Sequence, residues 1–167
     1  MARIEARKSE RINRFLQSML AAAEPTRTRG REVSVRELLD QSAARVHAEL
    51  ADEPEIEAAV HHTVGESYAG LRHYEQAETH LREALATRRR VFGEEQLDTA
   101  ESAVGLARVL RDTLRYEAAL DLCSGALNVN RKLLGRNHPA YVRSLVLYAD
   151  LLPRVRGDLA GAEQAYR

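Results

Sequence analysis

A single period constrains this chain more than any other feature. HYEQA at 73–77 returns as RYEAA at 115–119, so Tyr116 lies 42 residues beyond Tyr74. Ala84-Leu85 returns as Ala126-Leu127, Arg89 as Arg131 and Gly93 as Gly135, all at the spacing of 42. Several residue types recurring together at one such spacing mark a stacked array, in which each unit buries its apolar face only against its neighbours.

Composition says what the units are made of. Leu, Ala, Arg and Glu dominate, aromatic residues make up 5% and Trp is absent, which suits helices better than sheet. With 167 residues the chain is long enough to bury a core as one domain. The formal net charge of +0 argues against a general nucleic-acid binder, which carries a basic excess. That balance hides an asymmetry, because residues 1–32 hold eight Arg or Lys against four Asp or Glu. A solvated helix face explains this, and a juxtamembrane or partner-binding segment is the sharper reading.

Cys123 is the single cysteine, which excludes an intramolecular disulfide and a thiolate metal cluster. No run approaches the ~20 apolar residues that a membrane helix needs. MARIEARKSER at the start has no apolar stretch and does not read as a signal peptide. The expectation is a soluble, cytoplasmic segment.

In chain order, the pattern predicts a helix over 2–23, with Ile12, Phe15, Leu16, Met19 and Leu20 on one stripe. A polar, basic loop follows Pro25. Ser34 with Glu37 forms a capping box for a helix from about 35 to 51. These stretches divide as a basic front (1–33), a lead-in helix (34–53) that stands in for a preceding second helix, and repeats over 54–98, 99–140 and 141–167. Each unit has a helix A and a helix B: about 55–70 and 74–91, 99–112 and 116–134, then 139–152 and a helix B starting near Leu159. Ala162 lies 43 residues beyond Ala119, so the last unit carries one inserted residue. Its helix B is cut off at Arg167, which predicts a fragment of a longer chain.

Two helices of a hairpin approach closely only where small side chains meet. Gly65, Ala107 and Ala149 recur on helix A at spacings of 42, and Ala77, Ala119 and Ala162 recur early on helix B, with Ala84 and Ala126 two turns on. Tyr74 and Tyr116 start helix B, where a ring bridges both helices and the turn. Val64, Leu106, Leu81, Leu85 and Leu127 are the larger core candidates.

VGESYAGLRHYEQAETHLREAL at 64–85 resembles the tetratricopeptide repeat, with Gly65, Tyr68, Tyr74, Ala77, Leu81 and Ala84 at its signature positions. The unit of 42 rather than 34 residues, together with Leu134, Gly135, His138 and Pro139 in LLGRNHPAY, resembles the kinesin-light-chain-type variant. HEAT and armadillo repeats have similar periods, but the small-residue positions and the Tyr of helix B favour the tetratricopeptide pattern. FLQSMLAAAEP and REVSVRELLDQSAARVHAELADEPEIEAAV, with the repeats behind them, resemble the C-terminal region of bacterial serine/threonine protein kinases. No Gly-rich loop, VAIK, HRD or DFG is present, so that resemblance puts kinase activity in a missing upstream domain. It also leaves open a place on the extracytoplasmic side of a single-pass membrane parent.

The resemblance implies an all-α superhelix of antiparallel helix hairpins, preceded by two N-terminal helices, that binds a protein or peptide along the helix-A face. Carried over by position, the first unit presents Ala59, His62, Glu66 and Ala69. The second presents Glu101, Val104, Arg108, Arg111 and Asp112, and the third Arg143, Val146, Asp150 and Arg154. Arg108, Arg111 and Arg143 suit a carboxylate or acidic peptide, since guanidinium forks match carboxylate geometry. The bland reading is a solvated charged face neutralised by Glu101, Asp112 and Asp150. Light-chain-type repeats carry an Asn pair where this chain has Val104-Gly105 and Val146-Leu147, which turns the expectation from amide capture to apolar and Arg contacts.

The remaining chemistry is sparse. His62 and Glu66 lie four apart beside His61, with no HExxH and no third ligand, so no metal and no cofactor are expected. His73 and His80 read as a turn residue and a helix-B residue, and Cys123 as a buried packing thiol. No nucleophile elbow or P-loop occurs, so the chain reads as a non-catalytic interaction scaffold. The kinase-segment reading is the alternative.

Overall fold

The computed structural model describes residues 34–156, together with Glu10, Asn13, Arg14 and Gln17, which are helical. The rest of the predicted 2–23 helix, the loop behind it, and the third helix B with Ala162 lie outside the described residues. Besides those four, the described residues form six helices and no strand: α1 (Val35–Leu50), α2 (Pro54–Gly70), α3 (Tyr74–Phe92), α4 (Leu97–Asp112), α5 (Tyr116–Leu134) and α6 (Pro139–Arg156).

Local chemistry sets the helix ends. The Glu37 N–H donates to Ser34 Oγ at 3.1 Å, and the Ser34 N–H donates to the Glu37 carboxylate at 3.1 Å. Such a cap stabilises a helix by ~1 kcal/mol. Pro54 and Pro139 occupy first turns, where a missing N–H costs no helical bond. α3 and α5 stop at Gly93 and Gly135, whose φ of +87° and +80° with nearly extended ψ is open essentially to glycine alone. Between helix A and helix B the chain turns through Arg72 (φ 60°) and Leu114 (φ 64°). The next residue closes each turn by donating back, His73 N–H to the Tyr68 carbonyl at 2.9 Å and Arg115 N–H to the Leu110 carbonyl at 2.8 Å.

One helix runs further than its sequence indicates. A proline disfavours helix at the residue before it, so 139–152 is the expected extent, yet α6 continues through Pro153 to Arg156. Leu151 and Leu152 are buried and Val155 packs against the same core. Only Val155 lies beyond the proline, so the apolar contact that the extension gains is its partly buried side chain. Arg154 also caps the weakened turn by donating to the carbonyl and carboxylate of Asp150.

Consecutive helices pack along the whole series. α2, α4 and α6 also touch one another in turn, whereas no such contact joins α1, α3 and α5 among the described residues. A stack drawn together on one side curves towards it, so α2, α4 and α6 form the inner face. α1 takes the place before α2 that α3 takes before α4. Leu39, Leu81 and Cys123, each 42 residues apart, are all buried, and so are Val46, Arg88 and Asn130.

The small residues lie inside the hairpins. Gly65, Ala77, Ala84, Ala107, Ala119, Ala126 and Ala149 are all buried, and Tyr74 and Tyr116 pack half-buried against the core. At Gly65 the fit leaves no room: a Cβ there would stand 2.7 Å from Leu81 Cγ and 3.2 Å from the Ala77 carbonyl oxygen. Leu127, expected in the core, is only half-buried, and Ala59, expected on the inner surface, is buried.

Candidate functional site

The inner face opens into a groove of about 400 Å³. Its walls begin with residues at matching positions of successive A helices. His62 of α2 and Val104 of α4 lie 42 apart, as do Glu66 and Arg108, and Glu101 and Arg143 of α6; all six line the groove. The floor includes Gly105, where a Cβ would come within 2.6 Å of Glu66 Oε1 and 3.5 Å of His62 Cε1. A side chain at 105 would run into Glu66 and into Leu81 Cδ2 at 3.1 Å, so glycine is what lets α4 lie close to α2 there.

Arg111, Val146 and Asp150 do not line this groove. Arg111 pairs with Asp112 at 2.8 Å and approaches Asp150 at 3.8 Å, while Val146 stays exposed beyond the groove. Glu66, Arg108 and Asp150 occupy one register position in three units, so charge alternates along the face. Arg108 is tied to Glu66 by an ion pair across α2 and α4. Arg143 differs, since it is exposed and has no ion-pair partner among the described residues.

The structure adds residues that the helix-A pattern does not mark. Leu97 and Asp98 at the start of α4, Asn130 and Leu134 at the end of α5, and His138, Ala140 and Ser144 around the start of α6 complete the walls. Beneath them runs a polar contact repeated in two units. Buried Arg88 donates to the Asp98 carbonyl at 2.6 Å, to Ser102 Oγ at 2.8 Å and to Glu101 Oε2 at 3.2 Å. Forty-two residues on, buried Asn130 donates to Ser144 Oγ at 2.8 Å and to the Ala140 carbonyl at 3.4 Å. Both pairs clamp the end of a helix B to the next helix A and fix the groove wall. Their signal in the sequence is the coincidence of 88 with 130 and of 102 with 144 in the 42-residue register.

Electrostatically the groove is two-ended. His62 sits against Ser102 and Glu101, and burial holds its pKa below the ordinary value, partly opposed by the Glu101 carboxylate. It is therefore neutral at pH 7. At the other end, Arg143 stands one turn into α6, whose N-terminal dipole adds partial positive charge. His138 Nδ1 accepts the Ala140 N–H at 3.1 Å, which orients that ring at the rim.

The tetratricopeptide repeat family model matches residues 56–122 and again residues 98–167. The chain belongs to the tetratricopeptide repeat family. Such repeats generally mediate protein–protein interaction, and the fold is typically non-catalytic. No curated protein sequence matches the chain. Among solved structures it is similar to the crystal structure of BtubC (BKLC) from P. vanneervenii, with a TM-score of 0.64 and 21% identity over 76% of this chain. That match covers 53% of the other chain, so this one spans about half of it, and at such identity the likeness concerns the fold. No described helix of this tetratricopeptide protein is long and apolar enough to cross a membrane.

Proposed function

We propose that the chain is an interaction scaffold whose inner groove takes an extended peptide with a carboxylate beside an apolar side chain. The observation that carries this reading is Arg143, exposed at the groove with no ion-pair partner among the described residues. Arg108 and Arg111 already face Glu66, Asp112 and Asp150, so a ligand gains less from them. Leu97 and Val104 expose apolar surface a short distance along the groove, and Leu134 lies at its side. A carboxylate at Arg143 would gain a charge-assisted bond, and the apolar neighbour would gain the surface it loses to water.

The test is fluorescence anisotropy with a labelled peptide of alternating Glu and Leu and a Lys-for-Glu counterpart. The acidic peptide should bind, and Arg143→Glu should weaken it by about tenfold or more, the equivalent of ~1.4 kcal/mol. Arg108→Glu should cost less. Equal binding of the acidic peptide to wild type and Arg143→Glu would overturn the reading.

The kinase-linked alternative uses the same groove to recruit substrates for a catalytic domain encoded upstream. It rests on the resemblance of residues 15–60 and requires kinase motifs in the adjoining reading frame, with no phosphotransfer by this chain alone.

A further inference from the structure

The first hairpin holds a second constellation, on different side chains from the groove. The close contact of Gly65 with Ala77 and Leu81 sets how α2 and α3 run past one another. That register brings His61 of α2 against His80 of α3, although 19 residues separate them in sequence. Their Nδ1 atoms lie 2.8 Å apart. Glu83, three residues beyond His80, places Oε2 at 3.1 Å from His61 Nδ1 and 3.8 Å from His80 Nδ1.

Three donor atoms thus converge on one point, and protons alone serve them poorly. A carboxylate oxygen offers only lone pairs, and a neutral imidazole Nδ1 carries either a hydrogen or a lone pair. If His80 donates to His61, the His61 lone pair faces the Glu83 lone pairs. If His61 donates to Glu83, His80 must share that same hydrogen. A cation at the centre accepts all three lone pairs together.

We propose that His61, His80 and Glu83 form a binding site for a divalent transition-metal ion, with zinc as the best fit. Zinc bonds imidazole nitrogen at ~2.0–2.1 Å and carboxylate oxygen at ~2.0–2.2 Å, which sets tetrahedral ligand atoms roughly 3.3 Å apart. The separations of 2.8, 3.1 and 3.8 Å bracket that value. Two imidazoles with one carboxylate suit zinc, cobalt, nickel or copper, whereas calcium and magnesium prefer all-oxygen sets.

The rings are also held in place before any ion arrives. His61 is buried, and its ring meets that of His80 edge to edge, Nδ1 towards Nδ1, with centroids 5.0 Å apart. Tyr68 stacks on His80 at 5.7 Å and is itself anchored by donating its hydroxyl to Asp40 at 2.5 Å. Glu83 is half-exposed, so the fourth position faces water. The bound ion would cross-link α2 to α3 and stabilise the first repeat.

The experiment titrates the untagged full chain with Co²⁺ as a spectroscopic probe and displaces it with Zn²⁺. One equivalent of cobalt should give the strong visible bands of a four-coordinate site, and zinc should abolish them and raise the unfolding temperature. Glu83→Gln, at a half-exposed position that leaves the fold intact, should lose the bands and weaken zinc by at least the ~10–100-fold that outer-sphere changes cause. His80→Gln should do the same, while His138→Gln should bind like wild type. Absence of the bands in wild type, or their retention in folded Glu83→Gln, would overturn the assignment.

Discussion

A methyl group added at Gly65 and the same methyl group added at Gly125 are expected to change stability in opposite directions. Gly125 lies exposed within α5 with nothing within 4 Å of a new Cβ. Alanine there gains ~0.5–1 kcal/mol of helix propensity. At Gly65 the same gain is opposed by a Cβ placed 2.7 Å from Leu81 Cγ and 3.2 Å from a backbone oxygen of α3. Leu81 is fully buried and has nowhere to withdraw. Overpacking of this kind costs ~1–3 kcal/mol, so Gly65→Ala should lose about 1 kcal/mol net. The two variants should then differ by roughly 2 kcal/mol, or ~4–8 °C in a chain of this size.

The second unit supplies the rescue. It has Ala107 and Cys123 at the positions where the first has Gly65 and Leu81, all four buried, so the larger residue on one helix is matched by a smaller one on the other. Gly65→Ala with Leu81→Cys should therefore couple favourably by ~0.5–3 kcal/mol in a double-mutant cycle. Urea unfolding followed by circular dichroism reads all four proteins. If Gly65→Ala proves as stabilising as Gly125→Ala, the close-approach argument is wrong.

Other outcomes follow from the same geometry. Leu114 is exposed and held at φ 64°, so Leu114→Gly should raise stability by about 0.5–1 kcal/mol in the same unfolding assay, as relieved strain exceeds the added chain entropy. The Arg115 guanidinium, reaching from the turn before α5 to Glu78 of α3, holds the Glu78 carboxyl below the ordinary carboxylate range. Its contribution is full above the unfolded pKa near ~4.3 and is lost as pH falls through the lower folded value, so Glu78→Gln should flatten that acid limb. Burial pushes the Cys123 thiol up to about 12, and native protein should react with a disulfide reagent only at its unfolding rate.

The helical array was legible because several cues agree. Ser34 and Glu37 mark one start, Pro54 and Pro139 mark two more, and the Gly and Ala positions at a spacing of 42 mark the hairpin contacts. α6 runs past the expected residue 152, through Pro153 to Arg156, with Val155 packed against the core beyond the proline. The site was legible only in part. Register places His62, Glu66, Glu101, Val104, Arg108 and Arg143 on one face, and all six line the groove. The same register says nothing of partner choice, so it did not reveal that Arg108 and Arg111 face carboxylates while Arg143 does not. Nor do helix-A positions expose walls built by the ends of helix B, such as Asn130 and Leu134. His61 and His80 escaped because they meet across a hairpin whose register depends on one glycine contact.

The most direct test of the interaction reading is to photo-cross-link the acidic peptide from two defined positions. A photoreactive residue replacing Val104 stands on the inner face, and one replacing the exposed Val91 stands on α3 outside the groove. Inner-groove binding predicts an adduct from position 104, weakened by Arg143→Glu, and none from position 91. An adduct from position 91 alone, or equal adducts from both, would contradict it.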